Sequence, residues 1–191
     1  MKKTLLKIGA ACIVLFAAFI VALPTIMHSL GLHPEYTGET HHLPAGKRAL
    51  IVTTSHGVLN APRETTGEAT GIAISELTHP YYSYLDAGMK IDVASIKGGQ
   101  VPVDPNGLRR TVITVEDKRY LNDPALIAKV ENSLRIDDVD FGQYDLIFLV
   151  GGWGAAYDLG YSDVLANKIG EAYYGPKEPL IGSVCHGALG L

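Results

Sequence analysis

Four short runs of apolar, strand-forming residues mark the chain beyond position 47: ALIVTTS (49–55), IDVASI (91–96), DLIFLVGG (145–152) and PLIGSVC (179–185). Continuous apolarity over so few residues predicts strands buried on both faces. Between them lie three helix-compatible stretches: ISELTHPYYSYLDAG (74–88) with Gly88 as its closing cap, PALIAKVENSLRI (124–136), and SDVLANKIGEAYY (162–174). Buried strands alternating with helices predict βαβ units, hence an α/β fold with a parallel sheet covered on both sides. In such sheets ligands bind beyond the carboxyl ends of the strands, so the segment after each strand is where chemistry belongs.

The pattern at the N-terminus is different. Lys2, Lys3 and Lys7 precede IGAACIVLFAAFIVALPTIM (8–27), which carries no charge. A helix needs about 20 such residues to cross the hydrocarbon core. The run exceeds the usual length of a cleavable signal and no clean Ala-x-Ala site follows it, so residues 1–27 read as a signal anchor, with a signal peptide as the alternative. The next cations after Lys7 are Lys47 and Arg48. With the lysines held on the cytoplasmic side, the rest of the chain is expected on the extracytoplasmic side, anchored through this helix or secreted after cleavage. Cys12 then reads as a small apolar residue of the span. Residues 28–46 lack periodicity and read as a linker. The scatter of His28, His33, His41 and His42 within it has no ligand spacing, and no metal site is expected.

Composition narrows the function. A net charge of -4 with no Lys/Arg block leaves no cationic footprint for phosphates, so nucleic acid is excluded as an expected partner. Two cysteines, Cys12 and Cys185, are too few and too far apart for a disulfide framework or a zinc site, and each has to be explained alone.

The strongest chemical signal is LIGSVCHGA (180–188), a buried strand that runs into a small-x-nucleophile-x-small pattern with Ser183 and Gly187 as the small residues. Such an elbow strains the nucleophile's backbone, aims its side chain into a pocket and sets it over a helix N-terminus, where a thiolate is favoured. Cys185 is thus a candidate nucleophile, the alternative being a buried structural cysteine. His186 is its neighbour. Consecutive residues of an extended chain point apart, so only the sharp turn would let the imidazole exchange protons with the sulfur; a structural role stays open. A second signal is VGGWG (150–154) at the end of the preceding strand, where Gly152 and Trp153 can turn backbone N–H groups toward an oxyanion. The third is Glu76, a carboxylate in an otherwise apolar helical stretch. It is either solvated or, within the Cys185 pocket, raised in pKa by desolvation and able to move protons.

Together these segments resemble the PfpI family of the class I glutamine amidotransferase-like superfamily, in the branch of heat-shock protein 31 and the glutathione-independent glyoxalases. The resemblance runs from about Arg48 to Leu191 and rests on TGIAISELTHPYY, AGMKIDVASIKGGQVPVDP, GGWGAAYDL and SVCHGALGL. Glu76 matches the family's pocket glutamate, Cys185 and His186 its nucleophile and neighbouring histidine, and Trp153 stands where the family often has histidine. The resemblance implies a flavodoxin-like α/β sandwich over residues 47–191, a possible homodimer, and conversion of methylglyoxal to lactate without metal or organic cofactor. This is glyoxalase III-type chemistry, of the D-lactate dehydratase kind in the lyase/hydrolase class, and it extends to glycated substrates. It also implies an acidic partner for His186 downstream of the elbow; because this sequence reaches only Leu191, the C-terminal part of the domain is expected to be missing.

The chemistry of a 2-oxoaldehyde suits these residues: a Cys185 hemithioacetal, amides at Gly152 and Trp153 for its oxyanion, and Glu76 or His186 to move a proton between carbons. Thiol-dependent amide or peptide hydrolysis would use the same elbow. A membrane-tethered holdase chaperone with a vestigial pocket would use none of it.

Overall fold

A computed structural model describes residues 2–31, 38–39 and 41–191. Contacts divide the chain into two units: Met1–Gly38 with Arg109–Val112, and Glu39–Leu108 with Ile113–Leu191. In the first, helix α1 spans Lys2–Ser29 and is long and apolar enough to cross a membrane, a property that signal sequences share. Of the four linker histidines, His33 lies outside the described residues. Among the described residues no group of three His, Cys, Asp or Glu side chains could hold a metal ion.

The second unit is built on strands β1 (Arg48–Thr53), β4 (Lys90–Ser95), β5 (Leu134–Arg135), β6 (Leu146–Leu149) and β7 (Leu180–Ser183) in one sheet, while β2 (Val58–Leu59) and β3 (Glu68–Ala69) form a small hairpin ladder. The large sheet runs β5-β4-β1-β6-β7 and every pairing is parallel. Set aside the two-residue β5 and the full strands follow the flavodoxin-like order, which reverses between β1 and β6. Helices cover both faces. Along β1 the side chains alternate: Ala49 and Ile51 pack with Leu77 and Tyr81 of α2 (Ile74–Asp86) and Leu126 of α4 (Pro124–Glu131), while Leu50 and Val52 pack with Leu165 of α6 (Asp163–Tyr173) on the other side. The period of two in a strand turns one apolar run into two core layers.

The three predicted helices form, each with a physical start or stop. Asp123 caps α4 through the amides of Ala125 and Leu126 with Pro124 in the first turn, and Ser162 caps α6 through Leu165. Gly88, at φ +93, follows the end of α2. One boundary is corrected. The 124–136 stretch is not a single helix: α4 stops at Glu131, and Leu134–Arg135 become the edge strand β5. Ser133 and Gly99 exchange both backbone hydrogen bonds, at 2.8 and 2.9 Å, and this tertiary pairing draws the chain out of the helix. The short helices α3 (Val115–Tyr120) and α5 (Ala155–Asp158) carried no amphipathic signal of their own.

At the foot of the sheet Asp145 joins three segments. It accepts from Lys47 Nζ at 2.8 Å and the Arg48 amide at 2.9 Å, and pairs with Lys177 at 3.4 Å. These donors hold its carboxyl at about 2, below the ordinary carboxylate range. A lowered native value means the stabilisation is present above the unfolded value and is lost as pH falls through about 2. Asp145→Asn is expected to cost about 1–2 kcal/mol at neutral pH after solvent screening, with the deficit shrinking in acid. Urea unfolding of both proteins across that range measures it.

Candidate active site

The site collects at the carboxyl ends of β6 and β7, which neighbour each other in the sheet. The Val184 amide donates to Leu149 O at 3.1 Å, extending the pairing to the residue before the cysteine. Val184 is extended (φ -134), and Cys185 then adopts φ +52, a left-handed conformation that a residue with a β-carbon holds only at a cost of about 1–3 kcal/mol. The Gly187 amide closes the turn by donating to Val184 O at 2.8 Å. The expectation of an α-helix beneath the sulfur is corrected here: Cys185–Gly190 is a six-residue 3₁₀ helix. With three residues per turn and poorer hydrogen-bond alignment, it is no substitute for the helix dipole invoked from sequence.

Cys185 is exposed and free, not buried among aliphatic side chains. The turn overcomes the opposed directions of consecutive side chains and brings His186 Nδ1 to 3.4 Å from Cys185 Sγ. Trp153, the exposed end of the glycine turn, lays its indole on the His186 imidazole with centroids 4.7 Å apart. Gly152 takes φ +98, against the Gly71–Ala73 segment that leads into α2, and the Gly154 amide donates to Gly71 O at 3.0 Å. The N–H groups of Gly152 and Trp153, and those of Cys185 and His186, meet no acceptor among the described residues. Two turns thus offer unpaired backbone donors beside one sulfur.

Glu76 stands in the first turn of α2, half-buried. Its Oε2 is inaccessible and has no hydrogen-bond partner among the described residues. Burial raises its pKa above the ordinary carboxylate value, while the Cys185 thiol, the Gly151 amide and the His186 imidazole draw it partly back. Gly151 is the spacer between the two turns. A β-carbon there would lie 2.5 Å from Glu76 Oε2, 2.7 Å from Val184 O and 2.8 Å from Cys185 Cβ. Gly151→Ala is therefore expected to push carboxylate and thiol apart, with a loss of about 1–3 kcal/mol in stability. Thermal unfolding and the alkylation rate of Cys185 check it; a variant with both unchanged would contradict the packing described.

The five candidate site residues, Glu76, Gly152, Trp153, Cys185 and His186, thus lie in one place. Sequence reading missed the brace behind it. Asp158 accepts from Thr54 Oγ1 at 2.7 Å and the Ser55 amide at 2.8 Å, tying the loop after β1 to α5, and burial raises its carboxyl. His56 stacks on Tyr157 at 4.2 Å beside it. Asp158 falls inside the GGWGAAYDL segment, the one signal that pointed toward it.

Comparison with known proteins agrees with this picture. The profile of the DJ-1/PfpI family matches residues 68–191. Glutathione-independent glyoxalase hsp3102 of Schizosaccharomyces pombe is 26% identical over 144 residues, 74% of this chain and 58% of that protein. Among solved structures, the Rapid Encystment Protein 24 kDa of Francisella tularensis superposes with a TM-score of 0.67 at 37% identity, over 76% of this chain and 61% of that one. Glyoxalase III of Candida albicans superposes with a TM-score of 0.64 at 25% identity, over 75% and 59%. The chain spans about three fifths of the length of these relatives.

Proposed function

The chain belongs to the DJ-1/PfpI family, and from that premise we propose that it is a glutathione-independent glyoxalase converting a small 2-oxoaldehyde to a 2-hydroxy acid at Cys185. The observation that carries the reading is the exposed sulfur at φ +52 with an imidazole nitrogen at 3.4 Å and a half-buried carboxyl adjoining it. Two relatives bearing the glyoxalase name support it.

The steps can be assigned to these groups. His186 takes the thiol proton, and the sulfur attacks the aldehyde carbon, forming a C–S bond and leaving an alkoxide. Unpaired amides of the Gly152 and Trp153 turn stabilise that oxygen. The Glu76 carboxylate removes the hydrogen on the former aldehyde carbon while the His186 imidazolium gives the former thiol proton to the neighbouring carbonyl oxygen, forming an enediolate, and Glu76 then returns its proton to the neighbouring carbon. The first carbon is thereby oxidised to a thioester and the second reduced to a secondary alcohol, with no external electron carrier. Water cleaves the C–S bond, releasing the hydroxy acid and restoring the thiol. Desolvation suits Glu76 to the part, because a carboxyl raised toward neutrality exchanges protons with carbon more readily than an ordinary one.

The α1 helix is, in this proposal, a membrane anchor or export signal with Lys2, Lys3 and Lys7 on the cytoplasmic side.

The test is the full chain, methylglyoxal, and no added thiol, with lactate measured enzymatically. Lactate formation saturable in methylglyoxal supports the reading. Amide or peptide cleavage without lactate would overturn it in favour of hydrolysis from the same thiol.

A further inference from the structure

We propose that the indole of Trp153 is a positioning residue that holds the His186 imidazole against the Cys185 thiol. The inference rests on the Cys185–His186 reading above and adds a group that reading leaves unused, since only the backbone amide of Trp153 entered it.

His186 Nδ1 faces the sulfur, and no hydrogen bond reaches its other ring nitrogen among the described residues. An imidazole that makes one long contact is free to leave it by rotation about its two side-chain bonds, and sequence adjacency opposes the contact in the first place. The indole of Trp153 lies on the ring, at 4.7 Å between centroids and an interplanar angle of 36°. That separation falls in the range where aromatic pairs attract beyond their buried area. Core packing does not account for the placement of Trp153, because the residue is 55% exposed. Its backbone, in contrast, is held: the Gly154 amide donates to Gly71 O at 3.0 Å and the Ala156 amide to Trp153 O at 3.2 Å. A ring carried on a braced turn is thereby laid over a half-buried imidazole whose one hydrogen bond is the long contact to sulfur.

Trp153 is the only tryptophan in the chain, so it reports its own environment. His186→Ala is expected to change the intrinsic emission of the full chain. The second measurement is the iodoacetamide alkylation rate at Cys185, followed on the Cys185 peptide by mass spectrometry so that Cys12 does not contribute. Trp153→Ala is expected to slow it roughly tenfold, because the imidazole that takes the thiol proton is no longer held at the sulfur. Trp153→Phe, which keeps a ring, is expected to stay within about twofold of the parent chain. In turnover the alanine variant is expected to lose kcat with KM little changed. Emission indifferent to His186→Ala, or an alanine variant alkylated at the parental rate, overturns the proposal. Neither measurement requires oxoaldehyde turnover, so failure of the glyoxalase reading leaves the positioning role to be decided separately.

Discussion

Replacing Cys185 by alanine leaves no lactate formation from methylglyoxal above the uncatalysed rate, a loss of about a thousandfold or more, because no other group near the turn forms the carbon–sulfur bond. Fold stability, by contrast, is expected to stay close to that of the parent chain. Alanine keeps the β-carbon, so the φ of +52 remains as unfavourable as before, and the side chain removed is exposed. Cys185→Gly separates the two effects. It is equally inactive, but glycine adopts this backbone without penalty, and a gain of about 1 kcal/mol is expected in unfolding measurements. A position that gains stability when its β-carbon is removed, and not when its sulfur alone is, marks a backbone bent to present a nucleophile. Undiminished turnover in the alanine variant would remove Cys185 from the reaction, and with it the proposed function.

Glu76→Gln should lower kcat by about two to four orders of magnitude while Cys185 still alkylates, since the thiol attack needs no proton removed from carbon. The isosteric amide keeps the volume of the first turn of α2 and deletes only the ionisation. The same pair of proteins yields a pH test whose sign is set by burial. The native carboxyl binds its proton more tightly than the unfolded one, so its contribution to stability is fully present below the ordinary glutamate range and is lost as pH rises through the raised native value. The glutamine variant carries no such dependence. Its melting temperature relative to the parent is therefore expected to climb as pH rises across that window. A difference that stays flat with pH would mean that Glu76 is solvated in the folded chain.

How much of this was legible beforehand varies by element. The cores of β1, β4, β6 and β7 and of α2 and α6 were readable because each is a local statement: a short apolar run, or a helix-compatible stretch, in α2 with a stop at Gly88. The C-terminal half of the 124–136 stretch was misread as helix for the converse reason. Nothing in SLRI says that Gly99, far away in the chain, will take both hydrogen bonds of Ser133. The same limit applied at the elbow. The small neighbours of Cys185 announced a tight turn, yet whether an α-helix or a 3₁₀ turn comes next depends on how Cys185–Gly190 packs against α5 and β6, which spacing does not encode.

The order of apolar and polar residues therefore determined the layers of this protein: a sheet buried on both faces, its helices, an apolar N-terminal helix, and a cysteine at the bend after the last strand. Side-chain chemistry named the residues able to react. Only the tertiary structure decided that they meet. It set Glu76 and Cys185 on either side of Gly151, turned His186 back onto the sulfur, and laid Trp153 over the imidazole. The physical reason is that strand and helix periods are written in neighbouring residues, whereas a site at the switch point of a parallel sheet is assembled from loops whose proximity exists only once the crossovers have brought β6 and β7 side by side.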